Sequence, residues 1–544
     1  MEYGQIYDEV NRVWASPSKD YGYDFNQLAG PAILDRLKIL DQNKVLEINH
    51  GTGKETTVGE MRKLAITCAK NLDILGMKKG DIVVFFSQLN SFTTPSCYGC
   101  FINGVIVNPM VVTMNEADTD HVLGYLDPTM IICDDKYKDK LQASLNRIKG
   151  KNLRYFLTTD SESPQSQEKL LFKTVNDLDV DNFVPSNLGD PKKVVLSLSL
   201  TSGSSGKPKA IKISHAFYLK GLPTWYEPCE GMRLYIGSPF GWISQLSNVS
   251  MTVFVNLTRI YSGIDPTPEY IANVINDTGV THMFCVTKKL SDIFEYCNAN
   301  GKNHYLKSLK HIYSGGAPIT ETLKRDSLKA LPDCKFISAY GMTEVAGCIS
   351  SDELLKEKLG MAIQRGLQLK IVDDNFNAVG NNKNGRILVK TDVEFLEYYN
   401  NKKANEETFI DGWLLTGDFG YMNEHNLLHV LGRYKDLIFC DGEMIIPSQI
   451  EAVVNNFPPV LQAAVVSAPH KDVAKGSMAA VFLSWRSQFK NCSDEESEKI
   501  KTELENAMKK CVRWDQIHSI NVVDEFQYLS TGKLDKKCLQ AKFL

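Results

Sequence analysis

The stretch Ser199-Leu200-Thr201-Ser202-Gly203-Ser204-Ser205-Gly206-Lys207-Pro208-Lys209-Ala210 decides how this chain is read, because an apolar run, Val194 to Leu198, opens into it as a strand would. Gly203 and Gly206 let the backbone bend so that several N–H groups converge. The hydroxyls of Thr201, Ser202, Ser204 and Ser205 add donors, and Lys207 and Lys209 bring positive charge, which together suit a loop that holds phosphate. A flexible Gly/Ser linker has a similar composition, but linkers rarely separate apolar strands. The Walker pattern, Gly-x-x-x-x-Gly-Lys-Ser/Thr, is not met. Here Lys207-Pro208 follows the second glycine, and a proline there withdraws a backbone donor from the helix that a Walker loop feeds. Gly51-Thr52-Gly53-Lys54 fails too, since Ile48 stands where the first Walker glycine is needed. It reads as a turn between the apolar run Val45 to Ile48 and a helix starting near Val58.

The phosphate-type loop resembles that of the acyl-adenylate-forming superfamily, which comprises acyl-CoA synthetases, aryl-CoA ligases, the adenylation domains of peptide synthetases and beetle luciferases. Downstream segments are similar to the superfamily's other motifs, in its order. Ser314-Gly315-Gly316-Ala317-Pro318 resembles the adenine-side turn, and Ala339-Tyr340-Gly341-Met342-Thr343-Glu344 the signature strand and loop. Thr416-Gly417-Asp418 is similar to the ribose-binding segment, Gly432-Arg433-Tyr434-Lys435-Asp436 to the interdomain hinge, and Ser530-Thr531-Gly532-Lys533 to the loop carrying a late catalytic lysine.

The resemblance implies an α/β fold: a large multi-subdomain N-terminal adenylation domain over residues 1–431, a hinge at 432–436 and a small mobile α+β lid over 437–544. It also implies roles, and electrostatics says why they are needed. Activating a carboxylate with ATP brings two anions together, so cations and N–H dipoles must screen them. Thr201, Ser202, Gly203, Ser204, Ser205 and Gly206 would hold the β- and γ-phosphates. Gly316, Ala317, Pro318, Ala339, Tyr340, Gly341, Met342 and Thr343 would line the nucleotide, with Asp418 accepting the ribose hydroxyls and Arg433 adding a contact. Glu344 would hold Mg2+, and Lys533, assisted by Thr343 and Lys209, would neutralise charge developing at the α-phosphate and carboxylate. Singly, Asp418 also reads as a turn residue and Lys533 as a surface lysine; the ordered set is what points to chemistry.

Composition agrees. A chain of 544 residues exceeds one core and suggests about two or three domains. Hydrophobic residues at 43% and charged residues at 23% are those of a globular protein, and a net charge of −4 argues against nucleic acid or an anionic membrane surface as partner. Met1-Glu2-Tyr3-Gly4 has neither the basic nor the apolar part of a secretory signal. The most apolar run, Cys100 to Val112, is broken by Asn103, Gly104, Asn108 and Pro109, well short of the roughly 18 residues a spanning helix needs. An odd 13 cysteines without a spaced framework fit reduced thiols, and Cys97-Tyr98-Gly99-Cys100 has no second pair to complete a zinc site. Since Ala541-Lys542-Phe543-Leu544 is not a Ser-Lys-Leu tail, a cytoplasmic location is expected. The oligomeric state is not legible.

Helical and strand patterns alternate, as an α/β fold requires. Met61, Leu64, Ala65, Cys68 and Leu72 make one helix face, ended by Gly76 and Gly80 before the apolar strand Ile82 to Phe86. Thr158 to Gln167, rich in polar residues, reads as a surface excursion. After the charged run 432–436 a new alternating pattern begins at Ile450, with strands at Leu461 to Val466 and Met478 to Phe482 and a charged helix from Asp494 to Lys510.

The acid-binding side is expected around Ser238-Pro239-Phe240-Gly241-Trp242-Ile243-Ser244-Gln245, with Phe240, Trp242, Gln245, Ser314 and Gly315 in the substrate pocket. Many relatives have a histidine after the Pro-Phe or Pro-Met pair; Trp242 stands near that place, either shaping the pocket or filling core. On the thioester side, Phe439, Asp441 and Met444 replace the Lys and Gln usual in the family, the glycines around Gly385-Arg386-Ile387 are partly replaced, and Tyr528-Leu529 stands where a proline precedes the late lysine loop. The expected activity is an ATP-dependent, AMP-forming ligation of a small carboxylic acid to coenzyme A, most like insect luciferase-like acyl-CoA synthetases. A luciferase oxidising an adenylated luciferin with O2, and a noncatalytic nucleotide-binding descendant, are the alternatives.

Overall fold

A strand apolar at every position must be covered on both faces. Ile82–Phe86 is buried along its whole length, as such a strand must be. The computed structural model describes residues 5–17, 24–148, 152–160, 162–201, 207–222, 229–263, 266–345, 347–353, 360–391, 396–486, 489, 494–529 and 534–543. In it Ile82–Phe86 lies inside a six-stranded sheet, ordered Lys209–Ser214, Val195–Thr201, Ile106–Pro109, Ile82–Phe86, Met130–Cys133, Tyr155–Thr158. All neighbours are parallel except the edge pair Val195–Thr201 and Lys209–Ser214.

A nine-stranded sheet is ordered Ala362–Ile363, Gly347–Glu353, Lys335–Met342, His311–Gly315, His282–Val286, Arg233–Ile236, Thr258–Tyr261, Val45–Asn49, Glu55–Thr57, and its middle strands run parallel. The helices Ala29–Ile39, Val58–Ile74, Thr93–Asn103 and Ile243–Phe254 share one core with both sheets: Val83 and Phe85 face it from one, Leu234 and Phe284 from the other. The alternate residues Val84 and Phe86 point outward to Val122 and Leu141 of two outer helices, while Met283 and Ile312 meet Ile275 and Ile293 beyond the nine-stranded sheet. The layers are therefore helix, sheet, helix, sheet, helix.

Local signals explain the inner helices. Thr57 Oγ1 accepts from the Glu60 N–H at 3.2 Å, so the helix starts at Val58, and Gly76, at φ 69, follows its end. The expected apolar face is wider than read, since Ile66, Thr67, Ala69 and Asn71 are buried as well. Cys97 and Cys100 are buried in Thr93–Asn103, and a Cβ on Gly99 would stand 2.6 Å from Cys68 Sγ. The Cys-Tyr-Gly-Cys run thus marks a tight helix crossing. Among the described residues every cysteine is free and no group of metal-ligating side chains forms. Nor is any helix long and apolar enough to cross a membrane among the described residues. Residues 158–167 are less external than expected, for Thr158, Ser166 and Gln167 are buried and Gln167 Nε2 donates to Ser96 Oγ at 2.9 Å.

A third sheet of seven strands gathers Leu367–Val372, Gly385–Thr391, Trp413–Met422, Phe409–Ile410 and Leu428–Arg433 with an early hairpin, Ile6–Asp8 and Val13–Ala15. Trp14 pairs with Leu369, is fully buried, stacks on Tyr7 at 4.7 Å and donates from Nε1 to Asn426 Oδ1 at 3.0 Å. Beyond Arg433 a smaller α+β domain has the hairpin Ile438–Cys440/Glu443–Ile445 and the three-stranded sheet Val460–Pro469, Ser477–Trp485, Ile517–Val522. Its helices are Pro447–Asn455, Asp494–Met508 and Lys536–Gln540. The alternating pattern expected at Ile450 is a correction: Ile450 lies in the helix that Pro447 opens.

Candidate active site

In open α/β sheets a crevice forms beyond the carboxyl ends of the strands, where the strand order reverses. Here that point is Arg233–Ile236: the chain goes on to Thr258–Tyr261 on one side of it and then to His282–Val286 on the other. The turn after it carries the residues expected to bind the acid. Gly241 lets this turn lie against the other sheet, since a Cβ there would stand 2.6 Å from the Val111 amide nitrogen. Phe240 is buried edge-on to Phe85, at 5.7 Å between centroids. Gln245, also buried, donates from Nε2 to the carbonyls of Ile236 (3.1 Å) and Ser238 (3.0 Å), tying helix Ile243–Phe254 to the strand end. Trp242, at the N-cap of that helix, is only half-buried and so is not a core tryptophan.

Two strands along the sheet, beyond His282–Val286, the end of His311–Gly315 holds Ser314 and Gly315. A Cβ on Gly315 would approach the Ala339 carbonyl oxygen to 2.7 Å, and Gly316 turns the chain at φ 88. Thr287 Oγ1 donates to the Ala317 carbonyl at 2.8 Å and lies 3.2 Å from Ser314 Oγ, so the turn through Pro318 is pinned from the neighbouring strand. Lys335–Met342 then delivers Ala339, Tyr340, Gly341 and Met342, and a 3-10 turn, Thr343–Val345, presents Thr343 and Glu344.

Two polar clusters form around that strand end. In the first, antiparallel pairing sets Asp418 opposite Arg433, with Gly417 at φ 76. Asp418 is buried at 6% exposure; its Oδ2 accepts from the Tyr340 hydroxyl at 2.5 Å and its Oδ1 faces Arg433 Nε at 3.1 Å. Arg433 also donates to the Thr416 carbonyl at 3.0 Å, and Thr416 Oγ1 accepts from the Asp418 amide at 3.1 Å. Burial, reinforced by the Asp418 carboxylate, drives the Tyr340 hydroxyl well above its ordinary pKa, so it stays a donor. A buried carboxylate fixed in this way is suited to accept hydroxyls.

The second cluster lies beside the two strands that flank the phosphate-type loop, where Thr201 pairs with Lys209 in antiparallel register. Ala210 accepts from the Tyr399 amide at 2.8 Å and Lys212 donates its amide to Glu397 at 3.0 Å, so residues 397–399 run alongside. Tyr398 then joins the parts: its hydroxyl donates to Glu344 Oε1 at 2.8 Å, and Lys209 Nζ stands 5.4 Å from its ring centroid. Glu344 is buried at 8% exposure. Burial, with the carboxylate beside it, raises the Tyr398 pKa strongly. Ser202, Gly203, Ser204, Ser205 and Gly206 lie outside the described residues, as does Lys533. Lys435 and Asp436 form the short turn Tyr434–Asp436, where burial lowers the Lys435 pKa. Tyr398 and Thr287 escaped the sequence reading, and Thr416 was read only as part of its motif. A short polar-aromatic segment after a loop carries no periodicity to mark Tyr398.

The sequence profile of the AMP-binding enzyme family matches residues 40–399. The chain belongs to that family. This AMP-binding enzyme is 25% identical over 90% of its length to 4-coumarate–CoA ligase 3 of Arabidopsis thaliana, of which the match covers 87%. It is 31% identical to 2-succinylbenzoate–CoA ligase of Bacillus cytotoxicus over 53% of this chain and 60% of that one. In fold it is similar to the anthranilate CoA ligase AuaEII crystallised with anthranoyl-AMP, at a TM-score of 0.85 and 17% identity, covering 96% of this chain and 99% of that one. The expected superfamily and the large and small domains of the α/β fold are thereby established.

Proposed function

We propose that this AMP-binding enzyme activates a small carboxylic acid with ATP, releasing pyrophosphate, and passes the acyl group from the adenylate to the thiol of coenzyme A. The observation that carries the reading is the pair of clusters meeting at one strand end: Tyr340–Asp418–Arg433, suited to a ribose, and Lys209–Tyr398–Glu344 beside the strands that flank the Gly/Ser-rich sequence, suited to a triphosphate. Names of relatives that act on aryl acids support the acid and the thiol. In this mechanism Asp418 accepts the ribose hydroxyls and Arg433 holds it in place. Thr343, the Thr201 to Gly206 loop and Lys209 bind phosphate oxygens, and Lys533 offsets charge on the carboxylate and α-phosphate as the acid attacks. The buried Glu344 carboxylate is a hard oxygen donor, and Mg2+ takes one or two carboxylates together with substrate phosphates. The donor set therefore fits magnesium, which would screen the triphosphate. Ser314, Gly315, Phe240, Trp242 and Gln245 border the acid. Rotation of residues 437–544 about Lys435 and Asp436 then exchanges the Lys533 loop for the thiol entry.

The test is a pyrophosphate-release screen across acetate to palmitate and aryl acids, with and without coenzyme A, with photon counting on the same wells. Acid-dependent pyrophosphate and a coenzyme A-dependent thioester are expected. Light in place of thioester would replace the second step by oxidation, and no release with any acid would sink the activity.

A further inference from the structure

Tyr528-Leu529 stands where the resemblance leads one to expect a proline before the late lysine loop, and the structure gives Tyr528 a place between the domains. Tyr528 bridges Leu534 in antiparallel fashion, so the two residues bracket the segment that ends in Lys533. Its hydroxyl donates to Gln462 Oε1 at 2.5 Å within the small domain. Its ring meets the large domain: Lys288 Nζ lies 6.0 Å from the centroid, and Lys288 is itself held by Asp292 at 2.5 Å, one helical turn on. Burial, together with the Asp292 charge, pushes the Tyr528 hydroxyl up to about 12, which keeps it neutral against that helix. Lys288 follows Thr287, the residue that pins the Ala317 carbonyl of the adenine-side turn. The hydrogen bond to the nucleotide turn and the cation–π contact to the base of the lysine loop therefore come from adjacent residues of one chain segment. A second contact, Arg486 Nη1 to Asp326 Oδ2 at 3.9 Å, ties the same two domains with both side chains only 24% and 30% exposed.

We propose that Tyr528 is a positioning residue for the first half-reaction: seated on Lys288 and Asp292, with Arg486–Asp326 as a second tie, it fixes the base of the Lys533 loop against the nucleotide turn. The inference rests on the reading above that Lys533 serves adenylation. Since the ring and not the hydroxyl makes the interdomain contact, phenylalanine replaces it and alanine does not. Rotation of the small domain about the proposed hinge would part these ties, so their loss burdens adenylation and spares thioester transfer.

The experiment compares the full chain with Tyr528→Ala, Tyr528→Phe, Lys288→Ala and the charge swap Asp326→Arg with Arg486→Asp, singly and together. Two rates are read with the best acid from the screen: ATP–pyrophosphate exchange, and thioester formed from chemically made acyl-adenylate and coenzyme A. Exchange kcat is expected to fall roughly tenfold in Tyr528→Ala, with KM for ATP and the transfer rate unchanged. Tyr528→Phe should retain exchange, Lys288→Ala should lose part of it, and the double swap should recover what either single change removes. Equal loss of both half-reactions, or no loss of exchange in Tyr528→Ala and Lys288→Ala, overturns the proposal. Should wild-type protein exchange pyrophosphate with no acid, the activity has failed but the seat is still decided by amide hydrogen exchange over residues 287–299. Faster exchange there in Tyr528→Ala but not Tyr528→Phe supports the seat, and identical protection in all variants overturns it.

Discussion

Tyr340 shows what a single side chain adds to a motif. Its hydroxyl orients the Asp418 carboxylate, and a carboxylate offers about four acceptor positions, so one held by Tyr340 and Arg433 can still receive ribose hydroxyls. Removing a hydrogen bond to a charged group costs about 1.5–3 kcal/mol. Tyr340→Phe is therefore expected to weaken ATP binding roughly tenfold, by calorimetry, without moving the acid preference; an unchanged Kd would show that Arg433 alone holds the carboxylate. At the same scale His215 sets an acid limit on stability. It is fully buried and accepts from the Ala29 amide at 3.0 Å, and burial, helped by Lys79, depresses its pKa from 6.5 to about 3. Below 6.5 the unfolded chain takes up a proton that the folded one refuses, so stability should be lost as pH falls from 6.5 toward about 3. Urea midpoints measured across that range should decline in the wild type and decline less in His215→Asn. Asp418, Glu344 and Lys209 were legible in the sequence because they sit in ordered motifs. Tyr398 was not, since it reaches Glu344 across 54 residues of sequence and no local pattern records that contact.

Elements were read best where one force sets them. The strand Ile82–Phe86 and the helix from Val58 were found at their observed starts, because an unbroken apolar run and a threonine cap leave little choice. Ile450 was misread because a short apolar stretch has no distinguishing period, although Pro447 was there to open a helix. The turn from Ser238 to Trp242 raised a question that only burial answers. A core tryptophan would cost about 3–5 kcal/mol on truncation, but half-buried Trp242 at a helix N-cap should cost closer to 1 kcal/mol. Trp242→Ala is thus expected to leave the melting temperature nearly unchanged while moving preference to longer or bulkier acids, at roughly 1–3 kcal/mol per methylene accommodated. An unshifted chain-length profile in the screen would remove Trp242 from the pocket.

For the whole molecule, the class and the order of parts could be read, but the partnering of strands could not: periodicity tells which face is buried and is silent on what covers it. Val45–Asn49 pairs with its chain neighbour Glu55–Thr57 on one edge, but no local pattern records that Thr258–Tyr261, far along the chain, takes the other. The hinge is a proposal at this scale. If Asp436 must change φ as the small domain rotates, Asp436→Pro should fix it near −65° and hold one arrangement. Pyrophosphate exchange is expected to survive better than thioester formation in that variant, with both rates measured separately. Equal loss of the two would place the pivot elsewhere.

The early hairpin has a consequence for the chain as it is made. Trp14 is completed by Leu369 and Asn426, which leave the ribosome long after it. At about 5–20 residues per second, roughly half a minute passes with this tryptophan and Tyr7 uncovered. Until then the hairpin has only two short strands, which are marginal alone in water. The large domain therefore cannot finish in the order in which it is synthesised, and slow translation between the two segments prolongs the period in which nascent chains are open to aggregation and to chaperones.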